Sequence, residues 1–199
     1  MNIPEPGPAV PRRGNAFSQK LGIWMLRRLG WRLEGEFPDV PRAVLVAAPH
    51  TSNWDGAITL ATVLAMRLSV HWMGKDSMFR WPFRRLLLWM GGIPVDRKAG
   101  RGLVQTTIDN LRDNPHYLVI ISPEGTRSAT REWKTGFYQI AQGAGVPIVL
   151  AYIDFQRKVV GFGPLVTPDN NMIAGIQRIR AFYNDKVARH AVRFERNGH

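Results

Sequence analysis

The chain has 199 residues, 45% of them hydrophobic, which is the size and composition of one folded domain rather than of a disordered chain. It contains no cysteine, which excludes disulfides, thiolate metal sites and a cysteine nucleophile. Its formal net charge of +12 predicts an anionic partner, and nucleic acid, anionic lipid surfaces, acidic carrier proteins and phosphorylated metabolites all fit that charge.

The N-terminal part of the chain divides into an arm and a helix. Residues 1–15 contain four prolines and predict a flexible arm. Residues 16–29 predict an amphipathic helix, with basic residues beside an apolar face formed by Phe17, Leu21, Trp24 and Met25. Such a helix fits a membrane interface and also fits packing on the protein's own core. Residues 79–90 repeat the mixture of aromatic residues, leucines and arginines.

The remainder of the chain alternates short apolar runs with helical patterns. The candidate strands are 43–48, 69–74, 117–121 and 147–153, and the candidate helices are 55–66, 101–112, 135–143 and 171–183. This order predicts an α/β fold for residues 16–199, as a single domain with a mostly parallel sheet flanked by helices and an N-terminal amphipathic segment. No segment has the pattern of a transmembrane helix. Residues 186–199 are basic and predict a final helix or tail.

His50 and Asp55 stand where the first long apolar run gives way to a helix, in the stretch AAPHTSNWDG. Residues five apart diverge on a continuous helix and on a continuous strand, so these two side chains can meet only across a turn. Pro49 and the N-cap candidate Ser52 predict that turn. A carboxylate placed there would fix the tautomer of the imidazole and stabilise its protonated form.

The spacing by itself also has simpler explanations. Ser52 and Asp55 fit a capping box at a helix N-terminus. The chain holds a second pair with the same spacing, His71 and Asp76, in a segment that alternates like a strand, and we interpret that pair as incidental.

Two further polar clusters follow apolar runs, GGIPVDR at 91–97 and SPEGTRS at 122–128. Loops beyond the carboxyl ends of parallel strands are where open α/β sheets bind ligands. The guanidinium of Arg127 suits phosphate oxygens, and the carboxylate of Glu124 can hold it in place. An ordinary proline and glycine turn explains the same residues when they are taken singly.

Taken in order, four blocks of the sequence resemble the motifs of the glycerolipid acyltransferase family, which includes the lysophosphatidic acid acyltransferases. These blocks are HTSNWD at 50–55, GGIPVDR, SPEGTRS and VPIVLAYI at 146–153. The resemblance covers about residues 43–153, the motif core of the domain. It implies an α/β fold with an N-terminal helical segment that can sit on a membrane.

The resemblance also implies a reaction and a site. His50 would be the general base that deprotonates an acceptor hydroxyl, with Asp55 as its orienting partner. The oxygen would attack the thioester of acyl-CoA or acyl carrier protein directly, without a covalent intermediate. The acceptor would be a lysophospholipid such as lysophosphatidic acid, its phosphate held by Arg97, Glu124, Gly125, Thr126 and Arg127. We expect no cofactor, no metal and a location on the cytoplasmic face of an anionic membrane.

Four positions depart from the family pattern. Pro94 replaces a usual aromatic residue, Ser122 a phenylalanine, Leu150 a proline and Pro49 a frequent asparagine. None of them removes a proton-transfer or phosphate-binding group. They alter the walls of the acceptor site, so a different acceptor stays open: another lyso-lipid, a lipidated amino acid or a polyketide-type product.

A non-catalytic basic module for membrane or nucleic acid is the alternative from another class. The charge permits it, but the sequence has no zinc spacing, basic heptad or RNP-like strand, so no nucleic-acid partner is expected. Motifs of other enzyme classes are absent as well: the chain has no G-x-S-x-G, P-loop, G-x-G-x-x-G or H-E-x-x-H pattern.

Overall fold

The structure, a computed structural model, describes residues 3–49, 52–95, 102–124, 133–184 and 186. The helices are α1 (Ala16–Arg28), α2 (Asn53–Met66), α3 (Arg84–Trp89), α4 (Leu103–Asp113), α5 (Gly136–Ala144) and α6 (Met172–Phe182). The strands are β1 (Arg32–Glu34), β2 (Arg42–Ala48), β3 (Val70–Lys75), β4 (Gly92–Val95), β5 (Tyr117–Ile121), β6 (Ile148–Asp154) and β7 (Val159–Val166).

Within the described ranges the strands form one sheet in the order β1-β7-β6-β2-β5-β3-β4. Every neighbouring pair is parallel except β6 and β7, which are antiparallel. The carboxyl ends of β2, β3, β4, β5 and β6 therefore lie along one edge of the sheet. This arrangement confirms the predicted single α/β domain with a mostly parallel sheet flanked by helices.

Strand β2 lies at the centre of the sheet, and its side chains contribute to the hydrophobic core on both faces. Its alternate residues point to opposite faces. Ala43 and Leu45 are buried with side chains of α1 and α2 on one face. Val44 and Val46 are buried with side chains of α4, α5 and α6 on the other. A strand covered by helices on both faces is apolar at consecutive positions, which is the pattern in the sequence.

The four predicted strands and four predicted helices are present, with ends shifted by at most two residues. Strands β1, β4 and β7 and helix α3 were not predicted. Strand β1 has three residues, β4 contains a proline, and β7 contains two glycines and a proline, so none shows a clear strand pattern.

Helix α1 has the predicted amphipathic form. Its inner face packs on α2 through Gly22 and Leu26, which are buried. Phe17, Leu21 and Trp24 are exposed on its outer face, whereas Met25, predicted to share that face, is partly buried. No helix in the described part of the chain has the length and apolar content needed to cross a bilayer.

Part of the predicted N-terminal arm packs against the fold. Residues 10–13 run beside the segment that leads into β3: Arg13 N donates to Arg67 O at 2.8 Å, and Ser69 N donates to Pro11 O at 2.8 Å. Val10 is buried in the core under α1 and α2. These backbone hydrogen bonds and one buried side chain hold residues 10–13 against the fold. The predicted basic tail at 186–199 lies outside the described residues except for Lys186.

Candidate functional site

The site edge of the sheet is the one where β2, β3 and β5 end. Val46 of β2 pairs with Ile121 of β5, so the two strands finish side by side. The chain after β2 turns into α2, and the chain after β5 carries Glu124. The fold thus brings together the ends of two of the predicted motif blocks, as expected for a ligand site in an open α/β sheet.

Asp55 is held at the first turn of α2. Ser52 N donates to Oδ2 of Asp55 at 2.7 Å, and the Ser52 hydroxyl donates to Oδ1 at 3.0 Å. The residue is 1% exposed. Ser52 is the N-cap of α2, and the pair forms the capping box suggested by the sequence. Two hydrogen bonds from a neighbour three residues away fix the carboxylate at the first turn of α2, close to the end of β2.

Most of the other predicted site residues lie outside the described residues. These are His50, Arg97, Gly125, Thr126 and Arg127. The structure does fix the chain on either side of the last three. Lys134 N donates to Pro123 O at 2.8 Å, so the described chain before the 125–132 stretch lies next to the described chain after it, at the site edge.

Glu124 is the second described member of the predicted site, and it is 3% exposed. Beside it lies Tyr183, at the end of α6. Burial raises the pKa of Tyr183, and the nearby Glu124 carboxylate adds to that rise. The Tyr183 hydroxyl donates to Val46 O at 2.8 Å and lies 3.3 Å from Ala151 O, so it bridges β2 and β6 below the site.

Tyr183 is a site neighbour that the sequence reasoning missed. It is 137 residues from Val46 in the chain, and no motif links them. Its ring packs edge-on against Trp133, the first described residue after the 125–132 stretch, with centroids 5.5 Å apart. Only the fold brings these residues together.

An apolar cavity of about 40 Å³ lies between α2 and the sheet. Its lining includes Thr59, Thr62 and Val63 of α2 and Ala47 of β2. Positions 55, 59, 62 and 63 lie on one side of a helix. The cavity therefore opens one turn beyond Asp55, on the same side of α2. The Thr62 hydroxyl donates to Ile58 O at 2.9 Å, which leaves the lining apolar in character.

The second histidine and aspartate pair does not form a site. His71 lies near the start of β3 and Asp76 directly follows its end, so the extended strand between them holds the two residues roughly 17 Å apart. The His71 ring stacks on Tyr117 with centroids 4.1 Å apart, and Nδ1 lies 3.3 Å from Leu118 O. Burial lowers the pKa of His71, and Arg13 adds to the effect, while the contact with Leu118 O opposes it. These contacts indicate that His71 has a structural role.

Within the described ranges, no group of three or more His, Asp or Glu side chains is placed to hold a metal ion. The described edge offers two buried carboxylates, Asp55 and Glu124, the first of them fixed by hydrogen bonds from Ser52, and an apolar cavity along α2.

Comparison with known proteins gives a family and a fold. A family model described as "Acyltransferase" matches residues 33–154, a span that includes β2 through β6 and both described site carboxylates. No match is found among curated protein sequences. The fold is similar to the crystal structure of the 1-acyl-sn-glycerophosphate (LPA) acyltransferase PlsC from Thermotoga maritima, with a TM-score of 0.61 and 17% sequence identity. That likeness covers 86% of this chain and 80% of the other.

Proposed function

The chain belongs to the acyltransferase family, and we propose that it moves a fatty acyl group from an acyl thioester to a hydroxyl of a lysophospholipid such as lysophosphatidic acid. The donor would be acyl-CoA or acyl carrier protein. The observation that carries the proposal is the buried carboxylate of Asp55, fixed by Ser52 at the end of β2 and five residues after a histidine. An acid held in this way is suited to orient an imidazole base.

In the proposed reaction His50 accepts the proton of the acceptor hydroxyl. The oxygen then attacks the thioester carbonyl carbon, a C–O bond forms, and the C–S bond breaks. The thiolate leaves and takes up the proton from His50. Asp55 would stabilise the imidazolium formed in between, and its burial strengthens that interaction because the surrounding dielectric constant is low. A thioester is reactive enough for this direct attack, so no covalent enzyme intermediate is required.

The acceptor phosphate would bind where β5 ends. Arg97, Glu124, Gly125, Thr126 and Arg127 are the proposed ligands. Support comes from the backbone hydrogen bond between Lys134 and Pro123, which brings together the described residues on either side of 125–132, and from the buried Glu124 carboxylate, which can hold a guanidinium for bidentate contact with phosphate.

The acyl chain would enter the apolar cavity along α2. The cavity begins one turn from Asp55, so a chain placed there would keep its reacting end near the proposed base. A lining of methyl and methylene groups favours hydrocarbon through the hydrophobic effect. The depth of this cavity would set the preferred length of the acyl chain.

We further propose that the protein works at the cytoplasmic face of an anionic membrane. Phe17, Leu21 and Trp24 are exposed on the outer face of α1, beside the exposed Lys20 and Arg27. Apolar rings and cations on one helix face suit the boundary between lipid headgroups and acyl chains. A lysophospholipid would be met at that boundary.

The test measures thiol release from a panel of acyl-CoAs with lysophosphatidic acid, with product identified by mass spectrometry. We expect acceptor-dependent release by the wild type and none by His50→Ala. His116→Ala is the matched control, because His116 is exposed just before β5, at the opposite edge of the sheet from the site. Equal activity of a folded His50→Ala variant would refute the assignment of the base.

Ser122 is the reason for proposing a second class of acceptor. Its hydroxyl oxygen is buried and has no hydrogen-bond partner within the described part of the chain. A polar group at this wall would suit an acceptor other than lysophosphatidic acid. The same assay with other lyso-lipids, a lipidated amino acid and acyl carrier protein as donor separates the two proposals. Inactivity across that panel would favour a non-catalytic basic module.

A further inference from the structure

The connection between β3 and β4 exposes an unusual amount of apolar surface. We call residues 78–89 the aromatic connection. Trp81 is 91% exposed and Phe83 is 64% exposed. Four more large apolar side chains of this short segment are exposed: Met78, Leu86, Leu88 and Trp89. Contiguous apolar surface of this kind in a folded protein marks an interaction site.

The exposure follows from how the connection is anchored. Phe79 turns inward, stacks on Trp72 with ring centroids 5.7 Å apart, and packs against Gly74 and Gly92. A Cβ atom at Gly92 would lie 2.6 Å from the Phe79 ring, so the glycine makes room for it. At the other end, Trp72 Nε1 donates to Met90 O at 3.1 Å, and Met90 is buried. The side chains between these two anchors project outward at the edge of the sheet formed by β4.

The aromatic connection is strongly basic. Arg80, Arg84 and Arg85 are exposed among the apolar side chains. Asp76 is the sole acidic residue between 76 and 91. Aromatic rings and leucines at the level of lipid headgroups, with arginines reaching the phosphates, are the chemistry of attachment to an anionic bilayer.

The position of the connection joins this surface to the candidate site. The chain enters it from Lys75, at the carboxyl end of β3, which is the site edge of the sheet. Its other end lies beside the start of α1, because Arg13 donates to Val70 O at 3.2 Å and contacts Gly91. The connection therefore reaches from the site edge to the beginning of the helix whose outer face is also apolar and basic.

We propose that the aromatic connection is a second lipid-contacting surface, which places Trp81 and Phe83 in the interface of an anionic bilayer and the three arginines on lipid phosphates. This proposal rests on the proposed function in one respect: the surface would serve to hold the site edge against the membrane that contains the acceptor. An acidic carrier protein would pair with the arginines alone, whereas the protruding rings and leucines need an apolar medium.

The first test is sedimentation of the full chain with vesicles of phosphatidylcholine alone or mixed in equal parts with phosphatidylglycerol. We expect binding to the mixed vesicles, and a loss of about tenfold or more in the partition coefficient for the double variant Trp81→Ser with Phe83→Ser. The matched control is Ile173→Ser with Leu165→Ser, which removes exposed apolar side chains elsewhere and should bind as the wild type does. Circular dichroism and thermal unfolding check that each variant is folded.

The second test changes charge. Arg85→Glu should weaken binding to the mixed vesicles about fivefold or more, and added salt should reduce that difference. Arg32→Glu makes the same change of net charge at an exposed position of β1 and should have little effect. If both reversals act equally, binding follows total charge and the proposed surface is overturned.

Three outcomes test this proposal separately from the acyltransfer reaction. Loss of vesicle binding in the tryptophan and phenylalanine variant, with no acyl transfer by the wild type, would support the surface and refute the reaction. Unchanged vesicle binding in that folded variant would overturn the surface, whatever the activity. The surface would also be overturned if the variant kept vesicle binding and lost binding to acyl carrier protein, because the partner would then be that protein.

Discussion

Ser52 holds both oxygens of the Asp55 carboxylate, through its backbone N–H at 2.7 Å and its hydroxyl at 3.0 Å. The contact caps α2 and also fixes the plane of a buried acid at the end of β2. The capping role and the proposed orienting role do not compete, because each carboxylate oxygen has two acceptor positions. The segment from Ser52 to Asp55 can therefore begin helix α2 and also position the carboxylate that is proposed to orient the base.

The first prediction concerns Asp55→Asn. We expect turnover to fall on the order of a hundredfold to ten-thousandfold with a small change in KM, because the charge that stabilises the imidazolium is lost. Ser52→Ala keeps the N–H contact and removes the hydroxyl. It should cost about 1 kcal/mol of stability and less than about tenfold in turnover. Steady-state kinetics and thermal unfolding of both variants decide the matter, and wild-type turnover in Asp55→Asn would contradict the orienting role.

The second prediction uses the pH dependence of stability. Burial, helped by Arg13 and opposed by the contact with Leu118 O, lowers the pKa of His71 below its ordinary value of about 6.5. The unfolded chain therefore binds a proton at higher pH than the folded protein does. The stabilising contribution of neutral His71 is present above pH 6.5 and is lost as the pH falls from 6.5 towards the lowered value.

His71→Phe tests this dependence, since phenylalanine can keep the stacking on Tyr117 and does not titrate. Thermal unfolding measured from neutral to mildly acidic pH should show a smaller fall in Tm for the variant than for the wild type. His116→Phe, at an exposed position, serves as the control. An equal slope for the wild type and His71→Phe would show that His71 does not contribute.

The third prediction compares two glycines that the sequence does not distinguish. Gly22 lies where α1 crosses α2, and a Cβ atom there would lie 2.5 Å from Ala65 N and 2.6 Å from Ala61 O. Because backbone atoms cannot move aside cheaply, Gly22→Ala should destabilise the protein by about 1–3 kcal/mol. A Cβ atom at Gly56, in α2, would meet nothing within 4 Å. Gly56→Ala should therefore stabilise the protein by about 0.5–1 kcal/mol, through helix propensity.

Chemical denaturation with urea provides the measurement for both variants, as the change in midpoint at constant m-value. Opposite signs are expected for the two substitutions. If both substitutions stabilise the protein, helix propensity alone determines their effect, and α1 and α2 are not tightly packed at Gly22. That result would also weaken the assignment of the opposite, outward face of α1 to lipid.

The sequence predicts the elements whose patterns arise locally and misses those that depend on partners. The apolar run at 43–48 and the S-x-x-D signal at Ser52 and Asp55 predict β2, the start of α2 and its cap. Strand β7 pairs antiparallel with β6 although it contains two glycines and a proline, so its pairing, rather than its composition, makes it a strand. Residues 10–13 are held by backbone hydrogen bonds to the chain before β3. The amino-acid composition of the segment does not reveal these bonds.

The candidate site shows the same division. Motif order identifies the loops after β2 and β5, because a parallel sheet puts successive carboxyl ends on one edge. The bridge from Tyr183 to Val46 spans 137 residues, and the cavity beside α2 depends on the packing of a helix on the sheet. Both are properties of distance in space, so sequence spacing carries no signal for them.

The last prediction concerns the cavity beside α2. Thr59 is partly buried in its lining, one turn after Asp55, and Thr59→Phe would fill the end nearest the site. We expect kcat/KM for long-chain acyl donors to fall roughly tenfold relative to short-chain donors, because each methylene that loses its apolar surroundings costs about 1 kcal/mol. Thr106→Phe is the matched control, since Thr106 is exposed on α4, across the sheet from α2. A uniform fall for all chain lengths in Thr59→Phe would mean that the cavity does not hold the acyl chain.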